Sequence, residues 1–405
     1  MDKLFAFAWL ILIGSNVAHH YSNEVPYHGA VILAGGAYCA IFFRKELLRL
    51  IFLKDYLLVL SLLVVPLILM MFSDRLYERN AYTSQIGVAM VFVVASALAL
   101  RGDLNRTLAL AVFVIVGMGS AMNLYELLIE NNKWSSAPGR SAGFYGNPTI
   151  SGEALLGYGL VFLTDRVTKL RFVDLILIAL VVVGVFATFS RAGVLASLLL
   201  LTATILMRVR REYVMRILVG LMAISLAAFG FVSYVIHHID LSNDALLRIA
   251  SLLESGGLGD YGTDRGYVAT EALDLIETNP FFGAGFLAST TLPQGPHNMF
   301  VAMMVDFGIL GLIIYLTVIV RLIQVARSAS GHLSRQVLFF VGWLVIFSFA
   351  SHNLVGNIMT LPLLGFALAR AYQIQALASQ RFAFTRERRV QLAANRRRFI
   401  DEPAK

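Results

Sequence analysis

Three polar residues stand where chemistry at a membrane surface could use them. Arg191 lies in TFSRAG, Arg265 in GTDRG, and His297 in PHN, directly before the apolar run MFVAMMV. An arginine fork meets phosphate oxygens bidentately. Two such forks on one face could clamp a diphosphate and stabilise it as it leaves. An imidazole titrates near neutral pH and can take a proton from a hydroxyl nucleophile. The chemistry these types suggest is transfer of a group from a diphosphate to a hydroxyl. Each residue also has a plainer reading. Arg191 could be an interfacial arginine reaching for headgroups, Arg265 a solvated charge beside Asp264, and His297 a hydrogen bonder at a helix start.

Further candidates for contact with substrate surround these three. Asn298 could orient His297 or cap the helix it begins. His352, followed by Asn353, forms a second His-Asn pair for the same pocket, with a structural role as the simpler reading. Arg140 belongs to NNKWSSAPGRSAGFYGNP, where a surface charge is the plainer account. Asn147 and Pro148 read as a turn, and Glu153 as a carboxylate at a helix start. No metal or other cofactor is expected: His19-His20 and His237-His238 are adjacent pairs without ligand spacing, and no DxD motif occurs. P-loop, nucleotide-binding glycine and serine-elbow motifs are also absent. Arginines would have to supply the positive charge.

The elements that must position these residues are membrane helices. The chain has 405 residues, 58% hydrophobic and 14% charged, with a mean hydropathy of +0.74. Apolar runs suited to about 30 Å of hydrocarbon recur along it, and backbone in lipid must satisfy itself as helix. The alternating strands of a membrane barrel are missing. The fold class is therefore all-α and polytopic, with about twelve transmembrane helices by length and hydropathy. Their cores are expected at 4–18, 28–43, 56–72, 86–100, 107–125, 150–164, 172–189, 192–207, 214–236, 298–320, 336–351 and 354–372. The first could pass for a signal peptide, but no small-residue cleavage site follows, so it reads as an uncleaved span. Cys39 is the single cysteine and carries no redox information.

With the N-terminus inside, most of the 33 basic residues fall on the cytoplasmic side. Arg75, Arg79, Lys133, Arg140, Arg191, Arg248 and Arg265 lie outside. The bias predicts cytoplasmic termini and explains the net charge of +8. Four regions follow: helices one to nine over 1–236, an outer loop over 237–297 holding part of the site, helices ten to twelve over 298–372, and a basic tail over 373–405. The tail can lie on anionic membrane lipid. Nucleic acid is excluded as a partner, because the outer face has no dense basic patch. Short helices are expected in the large loop at Asp244 to Leu253 and Gly266 to Glu277. Glycines between them permit turns and close backbone approach, and a loop this long is usually functional. Arg191 sits on a hairpin turn between spans seven and eight.

Arg265, then ALDLIETNPFFGAGF, then PHNMFVAMMVDFGILGLIIYL resembles the signature region of the O-antigen ligase and polymerase superfamily, whose block runs from an arginine through an NP-x-x-G-x-G turn to a His-Asn at a helix start. SRAG at 190–193 resembles its short arginine motif, so the specific motifs cover 189–320. The resemblance implies a GT-C-like, metal-independent glycosyltransferase of the bacterial inner membrane with a periplasmic active site. The donor would be a glycan on undecaprenyl diphosphate, and the acceptor a sugar hydroxyl of the lipid A–core, with inversion at the anomeric carbon. Arg191 and Arg265 would hold the diphosphate, and His297 would be the base or align the acceptor. O-antigen polymerases and protein O-oligosaccharyltransferases share these motifs. The latter typically end in a large periplasmic domain, whereas this tail is basic. A transporter of lipid-linked glycan is the non-enzymatic alternative. It would favour charges near the bilayer midplane, whereas these cluster at one surface.

Overall fold

The computed structural model describes residues 1–20, 27–51, 54–71, 79–130, 133–165, 171–207, 262–285, 288–292, 295–328 and 331–377. Within them the chain is helical and has no strand. The helices are α1 (Asp2–Gly14), α2 (Val17–His20), α3 (Tyr27–Phe42), α4 (Arg44–Ile51), α5 (Lys54–Met71), α6 (Arg79–Leu100) and α7 (Asn105–Leu128). There follow α8 (Pro148–Asp165), α9 (Phe172–Ala187), α10 (Arg191–Leu206), α11 (Gly262–Thr278), α12 (Met299–Arg327) and α13 (His332–Ser348), and then α14 over 361–377. The expected core at 214–236, the expected helix at Asp244 to Leu253 and most of the basic tail lie outside the described residues.

Two expected boundaries are corrected. The first span does not run from 4 to 18, because α1 stops at Gly14 and Asn16 takes a left-handed conformation (φ 60°). The amide of Asn16 instead donates to the Phe144 carbonyl at 2.6 Å, which ties this break to the segment after α7. The last helix begins at 361, not 354. Asn357 holds the preceding turn by accepting from the Met359 N–H at 3.0 Å, and Pro362 suits a helix start because it has no N–H to satisfy. The residues 349–360 thereby become a connector, and His352 sits in it.

Two helical stretches, Gly102–Leu128 and Met299–Arg327, are long and apolar enough to cross a bilayer by length and composition alone, at 27 and 29 residues. Shorter apolar helices, including α3, α9 and α10, accompany them. Their surfaces are apolar as well as their interiors. On α10, Leu195, Leu198 and Leu199 are exposed while Ala196 and Leu201 are buried, and Phe172 at the start of α9 is 76% exposed. A helix apolar on every side suits lipid on its outer face.

Inside, small and polar residues let the helices approach. A Cβ at Gly184 of α9 would lie 2.3 Å from the Ser120 hydroxyl of α7. That hydroxyl donates to the Leu180 carbonyl at 2.8 Å. The Asn123 amide donates to the Ser151 hydroxyl and the Gly184 carbonyl at 2.9 and 3.0 Å, joining α7, α8 and α9. Such contacts are the usual means of helix association where lipid removes the hydrophobic drive.

A break in α12 seats the NPFFGAG turn. Gly308 is non-helical inside the helix (φ 64°, ψ −160°). Regular geometry would pair the Ile309 N–H with the Val305 carbonyl. Instead Ile309 donates to the Pro280 carbonyl at 2.8 Å, and Val305 accepts from Ala284 at 2.7 Å. The turn thus satisfies both groups the break releases. Contact is so close that a Cβ at Gly308 would lie 2.4 Å from the Phe281 carbonyl group. Asp306 adds a second tie, accepting from the Ser289 N–H at 2.7 Å and its hydroxyl at 3.0 Å. Val268 and Ala272 of α11 complete the seat by packing with Ala288, Leu292 and Val305. Gly308→Ala is expected to cost more than the roughly 1–3 kcal/mol of a residue forced into this glycine-only conformation, since the methyl also strikes backbone. Thermal unfolding in detergent, together with faster proteolysis near residues 279–285, would register it.

Candidate functional site

Arg191 is the first residue of α10. Ser190 caps that helix, its hydroxyl accepting from the Gly193 N–H at 3.2 Å. The turn from α9 is made by Thr188 and Phe189, the latter left-handed at φ 47°. The expected hairpin is therefore present and places Arg191 half-buried at a helix N-terminus, where outward N–H groups and the helix dipole favour anions. Arg140 comes to the same turn, its Nε donating to the Thr188 carbonyl at 3.1 Å. The neighbouring Ser141 N–H donates to the Ala187 carbonyl at 3.3 Å. Two arginines thus meet at one turn, although Arg140 lies 51 residues earlier in the chain (191 − 140).

The segment carrying Arg140 is held by a residue that sequence reasoning missed. Glu126, buried in the last turn of α7, accepts four backbone N–H groups: Trp134 at 2.7 Å, Ser135 at 2.6 Å, Ala142 at 2.7 Å and Gly143 at 2.8 Å. A lone acid ending an apolar helix before a glycine- and serine-rich stretch was the available signal. Glu126→Gln would turn an amide N–H₂ toward two of these donors and strand them. Stability should fall by roughly 2–6 kcal/mol at about 1–3 per stranded group, read as a lowered Tm and cleavage in residues 133–147.

The two His-Asn pairs behave differently. Asn298 is the N-cap of α12, its side-chain oxygen accepting from Phe300 and Val301 at 2.9 and 3.2 Å, so the capping reading holds for it. His297 before it is left-handed (φ 45°) and half-buried, a conformation that a non-glycine residue keeps only where its surroundings enforce it. The His352 ring lies edge-on to the His297 ring with centroids 5.6 Å apart. Gly295 makes room for it, since a Cβ there would fall 2.7 Å from the His352 ring. His352 has no hydrogen-bond partner at Nδ1, and burial lowers its pKa, which keeps it neutral near pH 7. The structure therefore brings the second histidine to the first.

Glu153 does not stand at the helix start as expected. It is five residues beyond Pro148, fully buried, and neither carboxyl oxygen has a hydrogen-bond partner. Its neighbour Gly152 packs against the Arg191 turn, with Ser190 Cβ and the Thr188 hydroxyl 3.7 Å from where a Cβ would be. Its own carbonyl accepts from Trp343 Nε1 at 3.0 Å. Ser351 adjoins the carboxyl group, outside the geometry of a hydrogen bond.

The arginine turn, the head of α8, the 349–360 connector and the start of α12 thus share one end of the helix bundle. The opposite end is marked by Arg370 donating to Asn105 at 3.3 Å. Arg265 lies in the first turn of α11, and its side chain is outside the described residues. Among the described residues, no three His, Cys, Asp or Glu side chains are grouped to hold a metal. An anion-favouring turn and a pair of imidazoles on one face can bind a phosphorylated group and accept a proton nearby.

Residues 176–316 match a family model described as O-antigen ligase. That span contains Arg191, Arg265, His297, Asn298 and the α12 break. No curated protein matches the chain. Among solved structures, a chain from work on the structural coordination of polymerization and crosslinking by a peptidoglycan synthase complex is similar over 79% of this chain and 97% of its own. Identity is 16% and the TM-score 0.46, a likeness on which no argument is placed.

Proposed function

We propose, from the match of residues 176–316 to a family model described as O-antigen ligase, that the chain transfers a glycan from undecaprenyl diphosphate to a sugar hydroxyl of lipid A–core. Transfer takes place at the periplasmic face of the bacterial inner membrane, without a metal and with inversion. The protein spans the bilayer about twelve times in a GT-C-like arrangement with both termini cytoplasmic, as hydropathy and the positive-inside bias suggest. Arg191 and Arg265 hold the diphosphate, Arg140 and Asn298 shape the pocket, and His297 takes the acceptor proton beside His352.

The observation that carries this reading is convergence. Arg140, Arg191, His297 and His352 come from four separate segments to one end of the bundle. The bond changes are simple. The acceptor oxygen attacks the anomeric carbon, its proton passes to His297, and the bond to the diphosphate breaks with the electron pair leaving on phosphate oxygen. Arginines stabilise that charge as it develops.

The deciding experiment supplies purified protein with undecaprenyl-diphosphate glycan and lipid A–core in detergent, with a chelator present. Ligated product is expected. No product under any metal condition overturns the enzymatic reading and leaves transport. Extension of the donor glycan without lipid A–core identifies a polymerase, and transfer to serine or threonine a protein O-oligosaccharyltransferase.

A further inference from the structure

A cavity opens between α7, α8, α13 and α14 at the end of the bundle away from the arginine turn, with about 670 Å³ of space, part of it continuous with the surroundings. Three helices line it over matching lengths: α7 from Asn105 to Val112, α13 from Gln336 to Trp343, and α14 from Arg370 back to Leu363. Such a stretch of helix rises about 10 Å at roughly 1.5 Å per residue. The polar residues Asn105, Gln336 and Arg370 all stand at one end, and beyond them the walls are apolar. Where the cavity stops, the helices meet closely. A Cβ at Gly157 of α8 would collide with Leu363 and lie 3.2 Å from the Trp343 ring. Trp343 in turn donates to the Glu153 carbonyl at 3.0 Å, so packed side chains separate this cavity from the candidate site.

Charge at the mouth is positive. Arg370, half-buried, donates to the Gln373 side-chain oxygen at 2.8 Å and to that of Asn105 at 3.3 Å, both uncharged groups. Arg106 and Arg335 are the chain neighbours of Asn105 and Gln336 and stand at the same level. Among acids near this level, Asp103 is held by Arg101 at 2.8 Å, and the Asp165 side chain, at the end of α8, lies outside the described residues. A basic, polar mouth over an apolar shaft matches a molecule with an anionic head and a hydrocarbon chain. Hydrocarbon suits the walls, where water would find few partners. A phosphate makes charge-assisted bonds to a guanidinium that are stronger than those of an amide oxygen. Basic pockets between transmembrane helices on the cytoplasmic side are a general setting for anionic lipid headgroups.

We infer that this cavity binds an anionic phospholipid of the cytoplasmic leaflet. One acyl chain enters the shaft between the four helices, and the other stays in the surrounding bilayer. The phosphate rests on the Arg370 guanidinium in place of an amide oxygen. Such a site requires only the membrane orientation proposed above, and glycan transfer is no part of it.

The test is native mass spectrometry and thermal unfolding of the full chain in an uncharged detergent, titrated with palmitoyl-oleoyl phosphatidylglycerol or with phosphatidylcholine of the same chains. The wild type should bind phosphatidylglycerol at least tenfold more tightly than phosphatidylcholine, with a raised Tm. Ala367 lines the shaft, and Ala367→Phe puts a ring into it. That variant should bind phosphatidylglycerol at least tenfold more weakly, whereas lipid held by the basic tail would be unaffected. Arg370→Gln removes the charge and keeps the shaft, so it should bind phosphatidylglycerol no better than phosphatidylcholine. This second variant keeps the test open if Ala367→Phe fails to fold. Equal binding of the two lipids by the wild type overturns the inference, as does wild-type affinity for phosphatidylglycerol in either folded variant. Displacement of phosphatidylglycerol by tighter-binding palmitate assigns the cavity to a fatty acid and overturns the phospholipid.

Discussion

His297→Ala is expected to lower glycan transfer by about 10²–10⁴-fold, the usual contribution of a positioned acid or base, while donor binding changes little. The expectation comes from where the chain holds this residue. The left-handed backbone at His297 is enforced on one side by the Asn298 cap and on the other by the Gly295 turn against His352. Those constraints fix the imidazole at the mouth of α12. His352→Ala should cost less, because that ring supports the first through an edge contact. Steady-state kinetics on both variants would decide it. An active His297→Ala beside an inactive His352→Ala would exchange the two roles.

The helices were readable from hydropathy because lipid demands continuous apolar length, so the runs around TFSRAG gave away both α9 and α10 and the turn that exposes Arg191. Three features at the site were not readable, each for a physical reason. The break in α12 looks like uninterrupted membrane helix in MVDFGILGL, because the partners that satisfy it, Pro280 and Ala284, come from a turn more than twenty residues earlier. Glu126 looks like any acid ending a helix until the segment from 134 to 143 folds back to offer four amides. His352 is a candidate for the pocket from its own His-Asn pair, but the connector that carries it is hidden in apolar sequence that reads as helix from 354. Moving that start to 361 frees a connector long enough to reach His297. Residue type suggested what each group could do, while long-range backbone pairing decided which groups meet.

Arg191→Ala should reduce transfer by about 10²–10³-fold, the scale of losing one donor that stabilises developing charge, with normal membrane insertion. Arg191 is fixed by a helix start, at a turn whose capping by Ser190 aims the first N–H groups of α10 outward. An anion bound there meets a guanidinium fork and a helix dipole together. Arg191→Lys separates these contributions: lysine retains charge near the same dipole but cannot make two parallel hydrogen bonds. Recovery of less than a tenth of wild-type activity would indicate that the fork is what matters. Arg140 is already engaged with the Thr188 carbonyl, so Arg140→Ala should act by loosening this turn, raising donor KM more than it lowers kcat. Arg265 is the proposed second fork, and a double-mutant cycle tests whether it shares the ligand. If Arg191 and Arg265 grip one diphosphate, the double alanine variant should lose much less than the product of the two single losses, because the first removal already releases the group the second would hold. Strictly multiplicative losses would place the two arginines on different groups, and full activity in either single variant would remove the clamp.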